Sequence, residues 1–174
     1  MPRLYRRPRG GWRPSTWHSI LFAAALVVVA LVVERLVPPL TGSVRVADGD
    51  SLEVAGERVR LGGIDAPELH QSCGRAGEIW PCGEKAKAAL VALLKGGNVS
   101  CRPVDEDRYA RAVSVCEVEG QDIAARLVEQ GWAVATGLSY RREQSAARNA
   151  GRGIWSGPFD LPADWRAAHP RPPS

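Results

Sequence analysis

Positions 20–33 carry no polar side chain, and this unbroken apolar run predicts a hydrophobic helix. Pro38, Pro39 and Gly42 then break the chain, and the pattern changes to short strands. Positions 43–47 alternate, 51–54 follow a turn around Gly49, and 58–64 follow a second turn at Ala55-Gly56, which predicts a three-stranded meander. Residues 69–83 lack any period and read as a loop. Residues 84–94 are rich in strong helix formers, with Ala86, Leu90, Leu93 and Leu94 on one face, and Gly96-Gly97 stop them. Positions 99–103 and 112–119 predict a strand pair joined by a charged loop, 105–111. Asp122 is expected to cap a helix over 123–130 that Gly131 ends, and Ser139 to cap a last helix running to about Ala150. Trp155, Phe159 and Trp165 are expected to fold the tail back, with the chain fraying from Pro170.

These elements predict an α+β fold: an OB-type, five-stranded Greek-key β-barrel with three helices, preceded by the hydrophobic helix. The expected organisation is a basic cytoplasmic leader (1–19), a membrane anchor or signal segment (20–37), a linker (38–42), the folded domain (43–157) and a C-terminal tail (158–174).

The charge pattern changes what the leader means. The formal charge of the 174-residue chain is +4, yet residues 1–40 hold six Arg and one Glu, so everything beyond them nets −1. Arg3, Arg6, Arg7, Arg9 and Arg13 precede the apolar run, an asymmetry that leaves the N-terminus in the cytoplasm and the body outside. Fourteen helical residues reach roughly 21 Å, short of a hydrocarbon core of about 30 Å, with Trp12, Trp17 and Arg35 available at the interfaces. The expectation is a membrane-anchored protein of the cell envelope, and the alternative is secretion after signal cleavage. A nearly neutral body offers few phosphate contacts, so any nucleic-acid grip should be weak and metal-assisted. No obligate protein partner is inferred, and a monomer is expected.

An exported domain with Cys73, Cys82, Cys101 and Cys116 is expected to form disulfides. Three connectivities exist; pairing Cys73 with Cys82 and Cys101 with Cys116 joins sequence neighbours, the second on two neighbouring predicted strands. A zinc site is the rival, and no C-x-x-C spacing supports it.

The candidate chemistry lies at 50–68. Asp50 and Asp65 supply hard oxygens for a divalent cation, Arg60 a planar fork for a phosphate, and Glu68 a group to orient water or take its proton. Singly, each has a plainer meaning: Asp48-Gly49-Asp50 suits a hairpin turn, Arg111 could neutralise Asp105 and Asp107, Tyr109 could pack, and His70 reads as a solvated loop residue.

Four ordered blocks, 46–51, 59–68, 107–111 and 127–133, resemble the thermonuclease (staphylococcal-nuclease-like) family, over about residues 43–157. The resemblance implies an OB-fold domain that hydrolyses DNA and RNA with Ca2+. It implies that Asp50, Asp65 and the Ala66 carbonyl are metal ligands, that Arg60 and Arg111 bind phosphate, and that Glu68 activates water. Arg108, Tyr109 and Tyr140 are expected to contact substrate. Ala110 stands where the family has glycine, so a positive φ there would strain the loop. Thr136 stands where an aromatic often faces the nucleotide. The alternative reading is a noncatalytic OB-fold nucleic-acid or ligand-binding module of the cell envelope.

Overall fold

The structure is a computed structural model describing residues 16–36, 38–74 and 77–170. The leader arginines, Trp12, the side chain of Arg35 and residues 171–174 lie outside the described residues. The chain divides into two units, Met1–Pro38 and Pro39–Ser174.

In the first unit the apolar run forms α1 (Thr16–Leu36), longer at both ends than the run itself. Its described side chains, including Trp17, Leu21, Phe22 and Leu26, are exposed. They cover positions 17–32, about 24 Å of helix. Among the described residues no helix is long and apolar enough to cross a membrane.

The second unit contains, in order, β1 (Leu40–Thr41), β2 (Val44–Val46), β3 (Ser51–Val54), β4 (Glu57–Leu61), β5 (Ile64–Asp65), α2 (Cys82–Leu94), β6 (Val99–Glu106) and β7 (Ala112–Val118). There follow β8 (Gln121–Asp122), α3 (Ile123–Glu129), β9 (Val134–Ala135), α4 (Arg141–Asn149), a 3-10 turn (Gly153–Ser156) and α5 (Pro162–Ala168). The strands run β1-β6-β7-β4-β3-β2 in one mixed sheet, with β8 on β7. The sheet curls into a half barrel of the OB-like kind. The meander is present, Val44 opposite Val54 and Ser51 opposite Arg60, and β4 meets β7 in parallel with Arg60 opposite Val113.

Five expectations are corrected. The strand expected over 58–64 is two strands, because Gly62-Gly63 turn the chain and send β5 to a separate ribbon with β9, where Asp65 faces Val134. A seven-stranded sheet and a ribbon therefore replace the five-stranded barrel. Residues 40 and 41, expected in the linker, pair with β6 because half-buried Leu40 packs on the core opposite Cys101. The residue capping α4 is Tyr140 rather than Ser139: its ring sits against Gly63, its hydroxyl donates to Asp122, and its backbone takes φ 58°. Finally, the tail contains α5, so four helices rather than three follow α1.

The core explains the remaining order. Leu52, Val54, Val59 and Leu61 point inward from the sheet onto Ala86, Leu90 and Leu94 of α2 and Ile123, Leu127 and Val128 of α3. Burying each of the larger side chains stabilises the fold by about 1.5–3 kcal/mol. Asp122 caps α3 as expected, accepting from the Ala125 N–H at 3.0 Å. Both disulfides join sequence neighbours, Cys73 with Cys82 and Cys101 with Cys116. Cys101 lies opposite Cys116 across β6 and β7. Each closes a short loop and contributes about 3 kcal/mol in the chain-entropy account.

Candidate functional site

Three segments that leave the sheet at one end carry the acidic side chains. Asp50 ends a tight turn in which the N–H groups of Ala47 and Asp48 both donate to the Ser51 carbonyl. Gly49 permits this turn to lie flat on its neighbours, since a Cβ there would meet the Ala66 Cβ at 2.8 Å. Asp65 is carried by β5, and Glu68 by the loop that follows. Gln71, fully buried, clamps that loop twice: its side-chain oxygen accepts from the Glu68 N–H at 3.2 Å, and its own N–H donates to the Glu68 carbonyl at 2.7 Å. Cys73 and Cys82 then tie the loop to the start of α2, where a Cβ on Gly83 would strike the Glu68 carbonyl oxygen.

Asp50 and Asp65 are 5% and 4% exposed, a burial carboxylates tolerate only when paired. The pairing is supplied by Arg60, whose Nη2 lies 2.8 Å from Asp50 and 2.9 Å from Asp65. Burial pushes the Asp50 carboxyl above the ordinary range, opposed by Arg60 and by the hydroxyl of Ser51. The two acids thus converge on one cationic atom, Asp50 from the turn before β3 and Asp65 from β5.

Arg111 enters from the 107–111 loop. Its Nη1 donates to the Ser51 hydroxyl at 3.2 Å, and that hydroxyl donates to Asp50 at 2.8 Å, so one oxygen separates the guanidinium from the acid. Asp107 holds Arg111 through Nε at 2.7 Å and Nη2 at 2.6 Å, and also accepts the backbone N–H groups of Tyr109 and Arg111. Although burial works the other way, these bonds pull the Asp107 carboxyl down to about 2. Ala110 does adopt φ 54°, the left-handed region, as the missing glycine implied. Asp107, rather than Asp105, is the acid that neutralises Arg111.

The expected substrate residues separate. Tyr109 is 60% exposed, so it does not pack into the core; its ring lies under the guanidiniums of Arg108, at 5.0 Å, and Arg111, at 5.6 Å. Tyr140 is engaged with Asp122 and half-buried; burial and that carboxylate push its phenol well above the ordinary range. Thr136 donates its N–H to the Gly63 carbonyl at 2.8 Å, and His70 is exposed. A cleft of about 260 Å³ adjoins the site, lined in part by Arg45, Asp48, Ser51, Arg58 and Arg111.

One member escaped the sequence reading. Arg166 of α5 places Nη1 2.9 Å from both Asp65 and Glu68, and Nη2 2.9 Å from the other Asp65 oxygen. Nothing local announces it, since the partners are 101 and 98 residues away.

Among the described residues two guanidiniums, Arg60 and Arg166, therefore face three carboxylates, Asp50, Asp65 and Glu68. Among the described residues no group of three or more His, Cys, Asp or Glu side chains is placed to cage a metal. The donor set instead fits a hard cation that takes two carboxylates here and completes six to eight oxygens with backbone, water and phosphate. Ala66 is buried beside them, its N–H 3.4 Å from Asp50.

Comparison with known proteins finds a family match and several relatives. Residues 58–157 match the model of the staphylococcal nuclease homologue family, a span that includes Arg60, Asp65, Glu68 and Arg111 but neither Asp50 nor Arg166. The chain is similar to the succinoglycan biosynthesis protein ExoI of Rhizobium meliloti (strain 1021), 38% identical over 67% of this chain and 65% of that protein. It is 31% identical to protein ParB of Escherichia coli over 86% of this chain and 92% of ParB. An uncharacterized endonuclease of Haemophilus influenzae is 32% identical over 71% and 70%.

Proposed function

The chain belongs to the staphylococcal nuclease homologue family, and from that premise we propose that it is a calcium-dependent nuclease of low sequence specificity acting on DNA, RNA or both. It is a hydrolase of phosphodiester bonds. The observation that carries the finer reading is the convergence of Asp50 and Asp65 on one nitrogen of Arg60, with Glu68 and Arg111 at the rim.

Asp50, Asp65 and the Ala66 carbonyl would hold the cation, which when bound supplies charge that polarises the phosphate. Arg60 and Arg111 donate to the phosphate's equatorial oxygens, and their planar forks match charge that builds there in the transition state. Glu68 accepts a hydrogen bond from the attacking water and takes its proton as the new P–O bond forms, while the P–O bond to the leaving sugar oxygen breaks and that oxygen takes a proton from solvent. Tyr109, exposed and backed by two arginines, offers a face for one base. Arg108 adds charge beside it. Binding stays weak because the body is nearly neutral.

The protein acts outside the cytoplasm, tethered through α1 or released from it, as a monomer. Support for this placement comes from the basic leader before an exposed apolar helix and from the two disulfides. Incubating the full chain with denatured DNA or RNA and Ca2+ under oxidising conditions tests the activity: cleavage that stops with chelator is expected, and cleavage indifferent to chelator would refute the calcium requirement.

A further inference from the structure

Arg166 does more than complete a charge balance. Its guanidinium covers both oxygens of Asp65 and one of Glu68 at 2.9 Å each, the positions from which those carboxylates would address a cation and a water. We propose that Arg166 is a built-in occupant of the cation site, and that α5 is a displaceable strap which a divalent cation must expel to load; the proposal rests on the calcium reading above.

The strap is docked by contacts that lie apart from the carboxylates. Gln71 Nε2 donates to the Asp160 carbonyl at 2.7 Å, the Gly74 N–H donates to the Pro158 carbonyl at 2.9 Å, Phe159 packs edge-on against Trp155 with centroids 5.1 Å apart, and Pro162 is buried. α5 itself has only seven residues, so tertiary docking and not intrinsic helicity keeps it in place. Gln71 is the shared hinge: one end of its amide holds the Glu68 loop and the other holds the strap.

Two consequences follow from mass action. Arg60 already holds one oxygen of Asp65, and Arg166 takes both, so a divalent cation arriving there meets the added repulsion of the second guanidinium, and its apparent affinity is lowered by the fraction of molecules whose strap is closed. By linkage, the cation must loosen the strap as much as the strap opposes the cation. An arginine that merely organised the acids would act in the opposite sense, because its removal would scatter the ligands and weaken binding.

Calorimetric titration of the full chain with Ca2+, beside hydrogen exchange of amides 163–169, separates these cases. Arg166→Gln is expected to bind Ca2+ about tenfold more tightly than the parent, within the usual range of coupling between sites. Arg166→Lys, with one ammonium in place of the fork, should fall between them. Phe159→Ala, which loosens the strap without touching the carboxylates, should shift affinity in the same direction by less. In the parent chain, Ca2+ should speed exchange over 163–169. Equal or weaker binding by Arg166→Gln, or exchange over 163–169 that Ca2+ leaves unchanged, would overturn the strap and leave the nuclease reading standing. Binding of no Ca2+ by either chain would remove the strap together with the calcium reading.

Discussion

Two arginine–carboxylate assemblies flank the same hydroxyl of Ser51, and they are built in opposite ways. On one side Asp50, Asp65 and Glu68 are gathered with Arg60 and Arg166 across separations of up to 101 residues, and the aspartates are almost wholly buried. On the other, Asp107 and Arg111 are four residues apart in one half-exposed loop. The first depends on the whole fold, because desolvated acids are tolerated only while their partners stay in place. The second is a self-contained turn, held by backbone N–H groups as much as by the ion pair. The contrast teaches that a reaction centre can take its electrostatic strength from tertiary burial and its adjustable phosphate donor from a local loop.

The comparison breaks most visibly at Arg60. Arg60→Ala strips buried Asp50 of its guanidinium and leaves Asp65 with Arg166, so a loss of about 3–5 kcal/mol in denaturant unfolding is expected together with a drop of about 100-fold or more in kcat. At Arg111 the two effects should part. Arg111→Lys keeps charge beside Asp107 but loses the fork, lowering kcat by about 10- to 100-fold while the unfolding midpoint barely moves. A large stability loss there would erase the distinction drawn between the assemblies.

Acid sharpens the difference further. Asp107 titrates at about 2 in the folded chain against 3.8 for the free group, so its contribution is present above pH 4 and is lost as pH falls toward 2. Asp107→Asn should therefore flatten the acid limb of the melting curve in that window. Smallest of all is Ala110→Gly. Relieving the left-handed alanine should raise stability by about 1 kcal/mol, a melting shift of roughly 3 °C.

How far the sequence reveals this centre depends on distance along the chain. Asp50 and Arg60 are legible because the meander's turns set β3 beside β4, Asp65 and Glu68 because they follow Arg60 closely in sequence, and Arg111 because its loop contains its own partner, Asp107. The disulfides are legible for the same reason, each joining sequence neighbours. Arg166 is not legible: its seven-residue helix has no amphipathic period, and its position follows from Gln71, Gly74 and Trp155 gripping the residues before it. The division of 58–64 into two strands is signalled only by Gly62-Gly63, a turn-forming pair inside an otherwise strand-like run. The tie from the Tyr140 hydroxyl to Asp122 is likewise not legible, because the partners lie 18 residues apart on different elements.

The most direct test of the account is single-turnover cleavage of an end-labelled single-stranded oligonucleotide by the oxidised full chain with Ca2+, beside Glu68→Gln at matched melting temperature. The account predicts that the parent cuts, and that the variant binds the oligonucleotide equally well but cuts it about 100- to 10,000-fold more slowly, the usual contribution of a positioned proton acceptor. Equal cutting by both chains, or binding without cutting by the parent, would contradict it.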